Sequence, residues 1–450
     1  MSNKLDHSIC LARWEAPSIH LHTGKVKTCC RTTLVDIDCN ETTSAEELFN
    51  NNYFKERRDE MLNGVRDGSC SYCWELEKNG MPNPREGLNQ FLDYRKQHYQ
   101  QDPEIIKMQL GEKSYDPELL QAHKPQTLEI SIGNTCDLKC LYCCSEFSTS
   151  WTLEEQQHAG FQRPAKRDPS ELKLIELYFW QWLETVAIKN LRDICLIGGE
   201  PLLIPGVDQM ISQIANLAKL RSPEQPRLKL AITSNFNATP VRFQKFMTVV
   251  NQASESIDIE LRASIESFGE RAEYIRSGLR FDHMKNNLTM ACQLSNPEVT
   301  VAIAATHNAL SISSFPELID FVTELMFTSS KFILVHYNMV MFPTWIGVDV
   351  LPKSFTKYIH SAVEKMQSVA DRLAGENQKK SWQQSARHVL DIASQLENNN
   401  PSPERCADFR KFIQMYEQRR NTHFIKTFPE LAELYAAPES SLTTEIGVSS

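Results

Sequence analysis

Three cysteines lie close together on one short stretch of the chain. Cys136, Cys140 and Cys143 have the spacing C-x3-C-x2-C within SIGNTCDLKCLYCCSEF, and Cys144 follows at once. A closed structural zinc site uses four protein ligands, and a [4Fe–4S] cluster is commonly held by four thiolates. Three cysteines on one loop therefore indicate a metal site with one open position for a substrate or cofactor. The alternative is a zinc site that recruits Cys144 or a distant residue as its fourth ligand.

A second set of cysteines lies nearer the N-terminus. Cys10 and Cys29 have the spacing C-x13-G-x4-C, and Cys70 and Cys73 form C-x2-C. Together these four thiolates would make a closed site for zinc or for an iron–sulfur cluster. Cys30 is an alternative ligand at this position. We favour Cys29, because Cys29 fits the G-x4-C spacing.

The elements that must position the first set follow from an alternation of strand and helix patterns. Apolar and β-branched runs, typical of buried parallel strands, alternate with helical periodicity. The six strand candidates are 127–133, 193–199, 228–234, 257–266, 299–306 and 331–338. This pattern predicts a parallel α/β sheet, curled into a partial (β/α)6 barrel or open. The three cysteines follow the first strand, at the carboxyl edge where such folds bind ligands. In the N-terminal region, IHLHTGKVKTCC predicts a β-hairpin.

Residues suited to ligand binding follow three more of these strands. The second strand ends in Gly198, Gly199, Glu200 and Pro201. Glycines there let the backbone approach a ligand closely, and a carboxylate can accept a hydrogen bond from an ammonium group. The alternative for this GGEP segment is a tight βα turn.

Small polar side chains follow the third and fourth strands. They are Ser234 and Asn235 in TSNFN, and Ser264 and Glu266 in SIES. Their alternative role is ordinary capping of the helices that follow the strands.

The cysteine spacing resembles the signature of the radical S-adenosylmethionine (SAM) superfamily, C-x3-C-x-aromatic-C, with Tyr142 at the aromatic position. The resemblance implies that Cys136, Cys140 and Cys143 hold a [4Fe–4S] cluster whose fourth iron chelates SAM. Reductive cleavage of SAM would give a 5′-deoxyadenosyl radical that abstracts hydrogen from a substrate. The resemblance also implies that the GGEP segment contacts the amino group of SAM and that Ser234, Asn235, Ser264 and Glu266 line the SAM site.

The N-terminal cysteine spacing looks like the twitch module, a shortened SPASM domain that binds an auxiliary [4Fe–4S] cluster. Further segments, including MLNGVRDGSCSYCWELEKNG and GERAEYIRSGLRFDHMKNNL, look like a group of radical SAM proteins with an N-terminal twitch module. Together with the change of composition along the chain, this resemblance predicts four segments: a twitch domain at 1–95, a linker at 96–124, a radical SAM core at 125–345 and a helical extension at 346–450.

Composition restricts the other classes of function. The 450 residues carry a net charge of −9, which argues against electrostatic binding of nucleic acid by the whole chain. We find no run of about 18 apolar residues and no signal-peptide pattern, so we expect a cytoplasmic protein without a membrane span. In a reducing compartment, the thirteen cysteines are not expected to form structural disulfides.

The sequence therefore predicts a radical SAM oxidoreductase or peptide-modifying enzyme, and the favoured substrate is a ribosomally made peptide. A small-molecule substrate, such as a sugar or an amino acid, is the alternative within this class. A non-catalytic iron–sulfur or zinc protein is the alternative outside it. An electron donor such as flavodoxin or ferredoxin is the expected partner.

Overall fold

The structure is a computed structural model, and it describes residues 9–39, 44–78, 104, 108, 116–122, 124–159, 166–329, 331–340, 342–397 and 401–436. The strands in these residues, in chain order, are β1 (Ser18–His20), β2 (Lys25–Lys27), β3 (Val35–Asp36), β4 (Thr127–Ser131), β5 (Lys139–Cys140), β6 (Asp193–Ile197), β7 (Lys229–Ser234), β8 (Asp258–Ser264), β9 (Arg276–Ser277), β10 (Val299–His307) and β11 (Ile333–Met339). All six strands predicted from apolar periodicity are therefore present.

The helices account for most of the remaining described chain. In chain order they are α1 (Ala12–Glu15), α2 (Asn52–Leu62), α3 (Ser71–Lys78), α4 (Pro117–Ala122), α5 (Thr149–Ala159), α6 (Pro169–Trp182), α7 (Val207–Ala218), α8 (Pro240–Ala253), α9 (Gly269–Ile275), α10 (Phe281–Gln293), α11 (Phe315–Ser329), α12 (Thr356–Arg372), α13 (Glu376–Glu397), α14 (Pro403–Arg420), α15 (Phe424–Thr427) and α16 (Ala432–Ala436). None of these described helices combines the length and the apolar composition that crossing a membrane requires.

The chain divides into two compact units. The first comprises the described residues within 1–135, 163–232 and 248–260, and the second those within 136–162, 233–247 and 261–450. In the first unit the hydrogen-bonded strand order is β7-β6-β4-β1-β2-β3, and in the second it is β8-β10-β11. Strands β4, β6 and β7 are parallel neighbours, as are β10 and β11. The predicted α/β class with strands added in chain order, as in a partial (β/α)6 barrel, is confirmed.

The predicted N-terminal hairpin is present and extends the sheet of the first unit. Strands β1 and β2 pair antiparallel, and Gly24 in the connecting turn has φ +67°, a conformation that favours glycine. Strand β1 also pairs in parallel with β4. The predicted domain limit at residue 95 lies outside the described residues, so the domain limits stay predictions.

The C-terminal region is helical, as predicted, and part of it packs on the sheet of the second unit. Buried residues on α13 face β11, where the Trp382 indole donates to the Ile333 carbonyl at 3.1 Å. The Ser385 hydroxyl donates to the Val335 carbonyl at 3.0 Å. The apolar face of α13 is buried against the sheet, and these hydrogen bonds to strand carbonyls fix the orientation of the helix.

Candidate functional site

The backbone of the cysteine loop, defined as residues 136–144, is held by a short strand pair. Within the loop, β5 pairs antiparallel with β9, so that Cys140 lies opposite Arg276. The next amide, that of Leu141, donates to the Ile275 carbonyl at 2.9 Å. These backbone bonds place Cys140 in a defined conformation, although the sequence pattern had indicated only a loop.

Helix α5 holds the same loop through its side chains. The Ser150 hydroxyl donates to the Cys136 carbonyl at 2.8 Å, and the Ser148 hydroxyl donates to the Leu138 carbonyl at 2.7 Å. The Trp151 indole donates to the Cys140 carbonyl at 2.8 Å. The sequence pattern does not predict these roles of the STSW segment (148–151), whose hydroxyl and indole donors begin four residues after Cys144.

The three predicted cluster ligands lie near one another. Burial raises the pKa of the Cys143 thiol, and the thiols of Cys140, Cys144 and Cys136 raise it further. Repulsion of this kind between ionised groups requires that they lie within electrostatic reach of each other. The loop therefore gathers its thiols in one place.

Donor groups at two of these sulfurs suit thiolate ligands. The Leu138 amide donates to the Cys136 sulfur at 3.4 Å, and a guanidinium nitrogen of Arg276 lies 3.8 Å from the Cys140 sulfur. Such donors stabilise negative charge on sulfur and are a recognised way of tuning iron–sulfur clusters.

Cysteine thiolates can hold either a polynuclear cluster or a single ion. Within the described part of the chain, no group of three or more His, Cys, Asp or Glu side chains is arranged to hold one metal ion. Around one zinc, all sulfurs would converge at about 2.3 Å from the metal. A cubane cluster takes its thiolates on different irons, so they can lie farther apart. Thiolate donors are the chemistry that the predicted cluster requires, and the ligand assignments themselves stay predictions.

A buried ion pair lies behind the loop and involves two of the predicted SAM-site residues. The Glu266 carboxylate is fully buried and accepts three contacts from Arg276 at 2.6–3.2 Å. It also accepts a hydrogen bond from the Tyr142 hydroxyl at 2.9 Å, and the Arg276 guanidinium lies 5.5 Å from the centre of the Tyr142 ring. Glu266 and Tyr142 thus bind each other and Arg276 inside the protein. Their predicted contacts with SAM are not tested by these interactions.

The residues after β7 also contact the loop. The Asn235 side-chain amide donates to Asp137 at 3.1 Å, and that of Asn237 donates to the same carboxylate at 2.8 Å. The Ser234 hydroxyl accepts from the Phe236 amide at 3.0 Å, a turn contact that precedes helix α8 and does not cap it. Ser264 is half-buried at the end of β8.

In the first unit, the GGEP segment packs against the backbone that precedes the cysteine loop. The amides of Gly199 and Glu200 donate to the carbonyls of Gly133 and Thr135, both at 2.7 Å. A Cβ atom at Gly198 or Gly199 would lie 2.6 or 2.4 Å from these carbonyl oxygens, so only glycine fits. The glycines are therefore explained by an approach of backbone to backbone.

Glu200 and Pro201 begin the short 3-10 helix that follows (Pro201–Leu203). The Glu200 side chain is buried and accepts from the Leu202 amide at 3.0 Å. This is a capping bond to the first turn of that helix. The predicted contact of Glu200 with the SAM amino group stays a prediction.

The N-terminal cysteines also come together within the first unit. Burial raises the pKa of Cys73 to about 11, and the thiols of Cys70 and Cys30 raise it while Arg31 opposes the rise. A hydrogen bond with Cys29 is the main cause of the raised pKa of Cys30. Cys30 thus lies beside the C-x2-C pair and Cys29 lies beside Cys30, so the choice between them as ligand stays open.

Cys10 reaches the same region through a small hydrophobic cluster. Cys10 and Cys70 both pack against residues that include Leu11, Trp14 and Met61. The sequence-predicted auxiliary set is therefore gathered in one part of the unit, although its metal ligation is not tested.

A buried arginine, missed from the sequence, serves this second set. The Arg13 guanidinium forms an ion pair with Asp67 and donates to the Cys70 sulfur at 2.9 Å and to the Ser69 hydroxyl at 2.8 Å. Its one signal in the sequence is a charged residue inside the otherwise apolar stretch from Ile9 to Trp14.

Comparisons with known proteins agree with the class predicted from the cysteine loop. The chain is 30% identical over 153 residues to a GTP 3′,8-cyclase from Pseudomonas fluorescens, a match that covers 33% of this chain and 39% of the relative. It is 28% identical over 142 residues to a GTP 3′,8-cyclase from Corynebacterium glutamicum, covering 31% and 33%. The chain thus spans well under half the length of these curated relatives. No family profile matches it.

Solved structures show a distant likeness. SuiB from Streptococcus suis, bound to S-adenosylmethionine, has a TM-score of 0.35 and 12% identity, covering 77% of this chain and 68% of SuiB. SuiB bound to its precursor peptide SuiA has a TM-score of 0.33 and 11% identity, covering 92% and 72%.

The GTP 3′,8-cyclase matches, which cover about a third of this chain, support the radical SAM superfamily predicted from the C-x3-C-x-Tyr-C spacing. They do not test the twitch module or the auxiliary cluster.

Proposed function

We propose that this chain is a radical SAM enzyme in which Cys136, Cys140 and Cys143 hold the [4Fe–4S] cluster. When bound, the cluster and SAM would together supply a strong hydrogen-abstracting radical. The observation that carries the proposal is the cysteine loop: its thiols lie together while strand β9 and helix α5 hold its backbone.

The protein's own task at this site is to hold and orient. The hydrogen bonds to the carbonyls of Cys136 and Cys140 keep two of the ligands in place. Glu266 and Arg276 keep the aromatic ring of Tyr142 oriented behind them. Ligands that are already held in position lower the free-energy cost of assembling a metal site.

The N-terminal cysteines support a second proposal within the first. Cys10, Cys29, Cys70 and Cys73 would bind an auxiliary [4Fe–4S] cluster in a twitch module, with Cys30 as the alternative to Cys29. The donor from Arg13 to the Cys70 sulfur supports a thiolate at that position. A structural zinc at this site is the competing assignment.

The substrate we propose is a ribosomally made peptide, which would undergo a net oxidation or a bond-forming modification. Its support is the resemblance of the N-terminal cysteines to SPASM and twitch modules. A small-molecule substrate is the second candidate, because the curated relatives bear the name of a reaction on GTP. A flavodoxin or ferredoxin would supply electrons in either case, and the cytoplasmic location stays a prediction.

Replacement of each predicted ligand by alanine tests the cluster assignment. After anaerobic reconstitution, Cys136→Ala, Cys140→Ala and Cys143→Ala should lose the cluster and form no 5′-deoxyadenosine from SAM under dithionite. Cys144→Ala is the matched control, since it lies in the same loop outside the signature, and it should retain both properties.

Two outcomes would contradict the proposal. Cleavage of SAM at the wild-type rate by any of the three ligand variants would remove that cysteine from the site. Wild-type protein that carries zinc, without iron or sulfide, after anaerobic preparation would favour the non-catalytic metal protein.

A further inference from the structure

The last residue of helix α14 reaches the cysteine loop. The Arg420 guanidinium donates to the Lys139 carbonyl at 2.7 Å, and Lys139 directly precedes Cys140. Arg420 and Lys139 are separated by 281 positions in the chain. This contact therefore joins the C-terminal helical region to the loop.

The same guanidinium forms a forked ion pair with the helix that follows the loop. Its nitrogens donate to both carboxylate oxygens of Glu154, on α5, at 2.9–3.2 Å. The two side chains are only 2% and 4% exposed. The Lys139 ammonium also reaches Glu154 at 2.6 Å, so the carboxylate is shared between the loop and α14. Forked arginine–carboxylate pairs define orientation as well as adding binding energy.

Two aromatic rings contact the guanidinium. It lies 3.9 Å from the ring centre of Tyr416 and 4.5 Å from that of Trp151. The Trp151 indole is the group that donates to the Cys140 carbonyl. Arg420 therefore contacts the residue before Cys140 and also packs on the side chain that holds Cys140 itself.

Helix α14 is anchored independently of this contact. The Tyr416 hydroxyl donates to the Tyr274 carbonyl, and the Tyr274 ring lies edge-on to Phe428 at 5.2 Å. The Tyr435 hydroxyl donates to Glu417, on the same helix, at 2.6 Å. These contacts pack α14 among aromatic residues, so that Arg420 extends from a fixed support.

We propose that Arg420 is a positioning residue, through which the C-terminal helix α14 sets the conformation of the cysteine loop. Its role as an aid to cluster binding rests on the proposed function, whereas its role in ordering the loop does not. Loss of the arginine removes hydrogen bonds from a charged group to two partners and leaves Glu154 with Lys139 and the more distant Arg419, at 4.0 Å. A change of this kind shifts a local opening equilibrium by about tenfold to hundredfold.

Hydrogen exchange on the metal-free full-length chain tests the ordering role. In Arg420→Met, amides of residues 136–151 should exchange about tenfold to hundredfold faster than in wild type, while those of α12 and α13 should be unchanged. Arg420→Lys should recover part of the protection, because it restores the charge without the fork. Arg410→Met is the matched control: Arg410 is a buried arginine of the same helix, but it donates to the Leu434 carbonyl.

A second readout follows cluster retention. After reconstitution, Arg420→Met should release iron to a chelator faster than wild type and faster than Arg410→Met. Wild-type exchange in residues 136–151 of Arg420→Met would overturn the proposal. So would an equal acceleration in Arg410→Met, or an acceleration that extends equally to α12 and α13. If wild type binds no cluster while the exchange results hold, the proposed function fails and the positioning role of Arg420 stands.

Discussion

Replacement of Glu266 by glutamine should destabilise the second unit strongly, because it leaves Arg276 charged and buried. The two side chains are 0% and 6% exposed, and the pair makes three contacts at 2.6–3.2 Å. Glutamine keeps the shape and one acceptor oxygen but removes the compensating charge. Removal of one partner of a buried ion pair lowers the free energy of unfolding by roughly 3–5 kcal/mol. We expect a loss near the lower end, since the amide oxygen of glutamine can still accept from Arg276.

The measurement is urea-induced unfolding of the metal-free chain, followed by circular dichroism. Asp320→Asn is the matched control in the same unit, because Asp320 pairs with Lys365 at 2.8 Å on the surface. Exposed pairs contribute only about 0–1 kcal/mol. The double variant Glu266→Gln with Arg276→Met should regain part of the stability, since it removes the unpaired charge. If Glu266→Gln lost no more than Asp320→Asn, Arg276 would have to be compensated by other groups, and the argument for this ion pair would fail.

Three further predictions follow from the remaining sites. Anaerobic wild type should bind about eight irons, four for each cluster. The double variant Cys70→Ala with Cys73→Ala should retain about half of this iron and should still cleave SAM, but it should form no product. An unchanged iron content in the double variant would contradict the auxiliary site. Glu200→Gln should weaken SAM binding about tenfold to hundredfold with an unaltered cluster EPR spectrum, whereas wild-type affinity would leave the GGEP segment with only its packing role. Burial lowers the pKa of His307 to about 3, below the value of about 6.5 for an unfolded histidine. As the pH falls, the unfolded chain binds this proton before the folded chain does. Between pH 6.5 and pH 3, the free energy of unfolding of wild type should therefore fall by about 1.4 kcal/mol per pH unit more than that of His307→Leu. Urea unfolding at pH 7.5 and 5.5 measures this, and an equal change in free energy for the two proteins would disprove the assignment.

The six strands of the α/β fold could be predicted from the sequence because their signal is local. Runs such as LKLAITS and VTVAIAAT place apolar and β-branched residues next to each other, and β7 and β10 form there. The cysteine spacing is equally local, since a metal site on one loop needs its ligands within a few residues. For the same reason the resemblance to the radical SAM superfamily begins with Cys136, Cys140, Cys143 and Tyr142, which lie on one loop.

The glycines of the GGEP segment show how a correct signal can have a different cause. Their presence indicated a close approach of backbone to a ligand. The structure shows the approach to be made by the carbonyls of Gly133 and Thr135. Sequence pattern indicates that a side chain would not fit, but it does not identify the atom that occupies the space.

The class of fold, the six strands and the two sets of cysteines could all be predicted from the amino-acid sequence. The charged groups that hold the cysteines could be identified from the folded chain alone: Arg276 behind Cys140, Arg13 at Cys70, and Arg420 at the carbonyl of Lys139. These partners are separated by 136, 57 and 281 positions. Periodicity reports the environment of a residue and its near neighbours, whereas a contact at such separation depends on how whole elements pack. Buried arginines need a compensating acceptor, and packing alone determines which acceptor each one meets.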